Sequence, residues 1–171
     1  VDSLSVRAAE RRMGIDLEGE PNRPAVIGEQ DELVMVFQNL VSNAISYGRE
    51  GTRISVTVKT VDRIPNVGDP GVAVCVADAG EGIAPEQIPR LTERFYRVDK
   101  GRSRSMGGTG LGLAIGKHSV RRHRGRLGIE RPPGAGTRST VSLPRHGARH
   151  RPVTAHPRET RALACLGTLT S

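Results

Sequence analysis

Gln30-Asp-Glu-Leu-Val-Met-Val-Phe-Gln-Asn39-Leu-Val-Ser-Asn43-Ala-Ile-Ser-Tyr47 is the stretch whose reading decides the fold. Leu33, Val36, Phe37, Leu40, Val41 and Ala44 recur at three- and four-residue spacing, which predicts an amphipathic helix. At ~100° per residue the apolar arc lies over Leu40 and Ala44. Asn39, Asn43 and Ser46 fall within about 60° of one another on a different side, with Tyr47 at the edge of that sector. One face serves a core and the other carries two amides one turn apart. A neutral amide oxygen such as that of Asn43 can complete a magnesium shell whose other ligands are phosphates and waters, because it adds no charge.

The elements around this helix follow from pattern. Arg53 to Val61 alternates with β-branched residues and Gly71 to Ala77 is a continuous apolar run, so the two predict a hairpin turning at Arg63 to Pro70. Upstream, Val1 to Arg12 reads as a helix end, Gly14 to Glu18 as a strand and Ala25 to Ile27 as a short one. Downstream, Pro85 to Arg94 reads as a short helix. Gly110 to Arg122 resumes helical spacing through Leu111, Leu113, Ala114 and Ile115, although Gly116 costs it about 1 kcal/mol against alanine. Arg126 to Glu130 and Thr137 to Leu143 flank a Pro-Pro-Gly-Ala-Gly turn as a last hairpin. The sum is a mixed sheet with helices packed on one face. Val98 to Gly108, polar and cationic without periodicity, reads as a mobile loop, and the tail from Arg145 to Ser171 as basic and disordered.

Three further segments carry chemistry. Asp78-Ala-Gly-Glu-Gly82 ends an apolar strand, so the Asp78 carboxylate sits where Gly80 and Gly82 let the backbone turn sharply away. A carboxylate only accepts hydrogen bonds, and adenine offers an exocyclic amine where guanine offers a carbonyl oxygen; Asp78 there would select ATP over GTP. Gly107-Gly-Thr-Gly-Leu-Gly-Leu113 opens the second helix with backbone N–H groups free to face an anion, and the helix dipole favours a phosphate at that end. Arg97, within Glu93-Arg-Phe-Tyr-Arg97, stands ready to clamp or steer phosphates, with Lys100, Arg102 and Arg104 behind it.

Composition excludes several classes. With 171 residues, 36% of them hydrophobic, the chain has enough for one ordinary core. No apolar stretch approaches the ~20 residues of a membrane helix, so no membrane contact is expected of this fragment. Cys75 and Cys165 lack any metal-like spacing, and a reducing cytoplasm fits them, with an inner-membrane anchor left open for the parent protein. The formal charge of +8 invites nucleic acid, but two Phe, two Tyr and no Trp leave no stacking platform, and no nucleic-acid partner is expected. Because the first residue is valine, the chain reads as part of a larger protein.

These four segments, in this order, resemble the catalytic and ATP-binding domain of sensor histidine kinases, in the Bergerat-fold superfamily that also holds heat-shock chaperones, type II topoisomerases, mismatch-repair ATPases and anti-sigma-factor kinases. The resemblance runs from about Val1 to Pro144. Asn39 to Tyr47 is similar to the N box, Asp78 to Gly82 to the first glycine box, Glu93 to Arg97 with Phe95 to the F box, Gly107 to Leu113 to the second glycine box, and Gly134-Ala-Gly-Thr137 to the last glycine turn. It implies an α+β fold, the Bergerat ATP-binding α/β sandwich, with a lid over ATP at Val98 to Gly108. Residues 13–144 would form the catalytic domain and residues 1–12 the end of a linker from a dimerisation and phosphoacceptor region. Asn43 is implied to hold Mg2+, with Asn39, Asn43 and Arg97 catalytic. Nucleotide contacts are implied for Asn39, Asn43, Tyr47, Asp78, Gly80, Gly82, Gly108, Thr109, Gly110, Leu111, Gly112, Leu113 and Thr137.

The hydrolytic relatives carry a glutamate, a general base on water, where this chain has Asn39. An amide has no useful basicity, so the γ-phosphoryl group is kept for a better nucleophile, a histidine imidazole. Catalysis would come from positioning and charge neutralisation. None of His118, His123, His146, His150 and His156 is followed by the Glu-Leu/Ile-Arg/Lys pattern of the family's phosphorylated helix, and His118 and His123 suit a helix surface. The acceptor histidine is therefore expected upstream, on the helical hairpin of the parent kinase, which would also make the homodimer; a response regulator is the expected next partner. An anti-sigma-factor-like serine kinase and an ATP-sensing module without transfer are the alternatives. Ser46 replaces a basic residue that the family usually has, Thr92 a common phenylalanine, and Gly116 and Ser119 weaken the helix behind the second glycine box.

Overall fold

The computed structural model of the chain describes residues 4–19, 24–96, 110–132, 136–145 and 159–161. Among the described residues, helices α1 (Leu4–Glu10), α2 (Gln30–Tyr47) and α3 (Gly112–Arg122) accompany strands β1 (Gly14–Gly19), β2 (Ala25–Ile27), β3 (Arg53–Val61), β4 (Gly71–Ala77), β5 (Arg126–Glu130), β6 (Arg138–Pro144) and β7 (Glu159–Arg161). Strands β1-β3-β4-β6-β5 form one sheet in that order. The β1–β3 pair is parallel and the rest antiparallel, so the expected mixed sheet is present. The α+β sandwich with helices on one face is the fold found.

The alternation of buried residues explains the layering. Val58 lies opposite Val74, Val74 opposite Val141, and Val141 opposite Leu127, one apolar row across four strands on the helix-covered face. Against it α2 buries Leu33, Val36, Phe37, Leu40, Val41, Ala44 and Ile45. Phe37 has no exposed surface, and its truncation to alanine would cost about 3–5 kcal/mol through lost burial and a cavity. Asp31 and Glu32 in the first turn of α2 suit the positive end of its dipole. At the other end the helix stops at Gly48, whose backbone turns extended and where a Cβ would lie 2.5 Å from the Ala44 carbonyl. Arg11 satisfies the exposed carbonyls, donating to Ile45, to Ser46 at 2.8 Å and to Gly48 at 3.2 Å.

The structure departs from the sequence reading in three places. The tail, read as disordered, contributes β7, antiparallel to β2. Strand pairing uses backbone N–H and C=O groups that every non-proline residue carries, so the composition of the tail does not reveal it. The helix expected over Pro85 to Arg94 is only a short 3-10 turn at Ile88–Thr92. His123, expected on a helix surface, has a side chain only 8% exposed and joins α3 to the start of α2. Its ring nitrogens meet the Ser119 carbonyl at 2.7 Å and the Glu29 N–H at 2.9 Å. Ala8 of α1 is buried in the core.

Candidate functional site

The site is built where α2, the end of β4, the last glycine turn and the start of α3 converge. Since side chains alternate along a strand, Asp78, just beyond β4, emerges on the face of Val74 and Val76, between sheet and helix. Its backbone N–H continues the ladder to the Thr137 carbonyl at 3.0 Å. Its Oδ1 accepts from the N–H of Gly80 at 2.8 Å and of Thr137 at 3.3 Å. Burial pushes the Asp78 carboxyl above the usual carboxylate range, and these two N–H donors oppose the shift.

Glycine is needed on both sides of this carboxylate. A Cβ at Gly136 would lie 2.4 Å from Asp78 Oδ1, and one at Gly80 would lie 2.4 Å from the Tyr47 carbonyl. The turn thus presses directly on the end of α2. Gly82 has φ +73°, and the Arg131 side chain covers it while donating to the Glu81 carbonyl at 3.1 Å. Arg131 braces this turn, a contact that sequence reasoning missed; an arginine near a turn gives no signal of its own.

Asn39 and Asn43 share one half-buried face of α2, as the period predicts. Asn39 Nδ2 donates to the Gly112 carbonyl at 3.4 Å, so the two motifs meet. Among the described residues no hydrogen bond engages the Asn43 amide. Tyr47 is 44% exposed and, with Arg11, Gly48, Gly80 and Glu81, lines an open cavity of about 200 Å³ beside the site. Gly110 has φ +69° and its carbonyl accepts from Phe95 N–H at 3.0 Å, tying the F-box segment to the glycine-rich start of α3. Leu111 holds the N-cap of α3, and Leu113 packs against the core, its side chain serving the fold. Lys117 of α3 donates to Thr92 at 2.9 Å and the Arg90 guanidinium lies 4.3 Å from the Tyr96 ring centre, so α3 and the segment around the 3-10 turn are pinned. Arg97, Gly108, Thr109 and the whole segment read as a lid, Val98 to Gly108, lie outside the described residues.

The donor set fits a nucleotide and one magnesium ion. Asp78 offers a fixed acceptor for an amine, glycines leave backbone room at three turns, and Asn43 is a neutral oxygen ligand of the kind that accompanies phosphates and water on Mg2+. Among the described residues there is no group of three or more His, Cys, Asp or Glu side chains for an all-protein metal cage.

The arrangement suits a nucleotide-binding α+β fold, and comparison with known proteins gives its family. Residues 28–147 match the family of histidine kinase-, DNA gyrase B- and HSP90-like ATPases, and the chain belongs to it. It is 43% identical over 126 residues to the sensor-like histidine kinase SenX3 of Mycolicibacterium smegmatis, covering 74% of this chain and 31% of that protein. The chain therefore spans about a third of the length of such relatives. The mycobacterial sensor histidine kinase MprB has a similar structure, with TM-score 0.66 and 27% identity over 82% of this chain and 87% of that one. Full-length ShkA, solved in complex with AMPPNP, matches with TM-score 0.68 and 25% identity over 89% of this chain and 29% of that one. Among the described residues no helix is long and apolar enough to cross a membrane.

Proposed function

We propose that this chain is the ATP-binding catalytic part of a two-component sensor histidine kinase, which transfers the γ-phosphoryl group of ATP to a histidine on a separate helical hairpin of the parent protein for relay to a response regulator. The observation that carries the reading is the pairing of Asn39 and Asn43 on one face of α2 opposite the half-buried Asp78. Asp78 would accept from the adenine amine while Gly80 and Thr137 hold its other oxygen. Asn43 would ligate Mg2+, which when bound neutralises phosphate charge. Asn39, an amide bonded to Gly112, offers no base to water and instead fixes the start of α3. The acceptor imidazole would form a P–N bond as the bond from the γ-phosphorus to its bridging oxygen breaks, releasing ADP. Tyr47 and the segment with Arg97 complete the proposed nucleotide site.

The test is incubation of the 171-residue chain with γ-labelled ATP, magnesium and a separately produced acceptor hairpin from a sensor kinase relative. Label stable to base and labile to acid marks phosphohistidine and supports the reading. Acid-stable label on serine points to a serine kinase, and ATP binding with no transfer to any acceptor points to a sensing module.

A further inference from the structure

We propose that Arg7 is a phosphate-binding residue: its guanidinium, carried by α1, engages the polyphosphate of a nucleotide seated on the Asn39 and Asn43 face of α2. The inference rests on the reading of that face as a nucleotide site.

Helix α2, from Gln30 to Tyr47, contains no lysine or arginine. Its C-terminal end, where Asn43 lies, is also the negative end of the helix dipole. A polyphosphate brought to that face meets no cation from α2 itself. Arg7 reaches it from outside, donating through Nη1 to Ser42 Oγ at 2.9 Å and through Nη2 to Ser46 Oγ at 3.4 Å. Ser46 follows Asn43 by three residues, a spacing that places Cβ atoms about 5–6 Å apart on a helix. The guanidinium therefore stands within roughly one helical turn of the Asn43 amide.

Its charge is unspent. Arg12, Arg53, Arg90 and Arg122 each pair with a carboxylate, at Glu50, Asp16, Glu93 and Glu32. Among the described residues no carboxylate pairs with Arg7, although it is half-buried. Two serine hydroxyls orient a guanidinium without neutralising it and leave three of its five donors unspent by them. The fork geometry of those donors matches phosphate oxygens. Nor is Arg7 the main attachment of α1: Ala8 is buried in the core, and Arg11 is bonded to the carbonyls that end α2. Arg7 is thus held in place by neighbours that do not need it.

Calorimetric titration of the whole chain with magnesium-ATP and with adenosine, at low and moderate salt, tests this. Arg7→Gln keeps a donor for the serines and removes the charge. It is expected to weaken ATP binding about tenfold, flatten its salt dependence and leave adenosine affinity and Tm unchanged. Adding Ser46→Lys to that variant returns a cation to the same face and is expected to recover ATP affinity. Unchanged ATP binding in Arg7→Gln, with wild-type binding still dependent on Asn43, overturns the role of Arg7 alone. Equal losses for ATP and adenosine with a lowered Tm make Arg7 a structural tie and also overturn it. A wild-type chain that binds ATP no better than adenosine overturns the nucleotide-site reading itself.

Discussion

The side-chain amide of Asn39 donates to the carbonyl of Gly112 over 3.4 Å, and a Cβ at Gly112 would sit 3.1 Å from Asn39 Oδ1. The asparagine face of α2 and the glycine-rich entry to α3 are thus in contact, and a Cβ at Gly112 would need the Asn39 side chain to give by a few tenths of an ångström. Asn39→Ala removes this bond and is expected to lower stability by about 1 kcal/mol. Urea titration would show it as a lower midpoint at unchanged slope. ATP affinity should fall further than adenosine affinity if the start of α3 faces phosphate and not base, as proposed.

Asp78→Asn separates binding from stability. The amide still presents an oxygen to the N–H groups of Gly80 and Thr137, but it can no longer be an acceptor on every side. Adenine binding is expected to fall ten- to a hundredfold, as for a lost hydrogen bond of about 1–3 kcal/mol at a partly buried site. Without nucleotide the variant should melt at or above the wild-type temperature at pH 7. Burial raises the Asp78 carboxyl above 3.8, so the folded state holds its proton where the unfolded chain has lost it. Asp78 therefore stabilises the fold least once ionised, and its contribution declines as pH rises from about 4 through the raised value. Thermal melts from pH 4 to 7 should show a wild-type decline, relative to Asp78→Asn, that the variant lacks.

Asn43→Ala is expected to abolish the magnesium dependence of ATP binding while sparing adenosine. Among the described residues no hydrogen bond engages this amide, so its loss removes the proposed ligand and little packing. Titrations with and without magnesium measure both effects; equal loss for ATP and adenosine would make Asn43 structural.

His123→Leu should destabilise the fold by about 1–3 kcal/mol. The Glu29 N–H donates to Nε2, so the proton sits on Nδ1 and is given to the Ser119 carbonyl. Leucine leaves the Glu29 N–H unpaired and faces Glu32, whose Oε2 is buried without a hydrogen bond. Denaturation of the variant measures the loss, and hydrogen exchange should locate it at the α2 start and α3 end.

The sequence by itself determined strands β1 to β6, the two long helices and the face of α2 that carries Asn39 and Asn43, because periodicities of 3.6 and 2 are local properties of the chain. It also pointed to Asp78 and the glycine turns, since a motif that alone reads as an ordinary turn gains meaning from the other segments standing with it in order. Only the tertiary structure decided what those residues touch. That Asn39 is bonded to Gly112, that Gly136 closes on Asp78, that His123 joins two helices and that Arg7 stands over Ser42 and Ser46 all depend on contacts between residues 35 to 94 positions apart. Arg7, Arg131 and strand β7 were illegible for the same reason. An arginine has the same composition whether solvated or aimed at a face, and a strand edge accepts backbone from any sequence that reaches it.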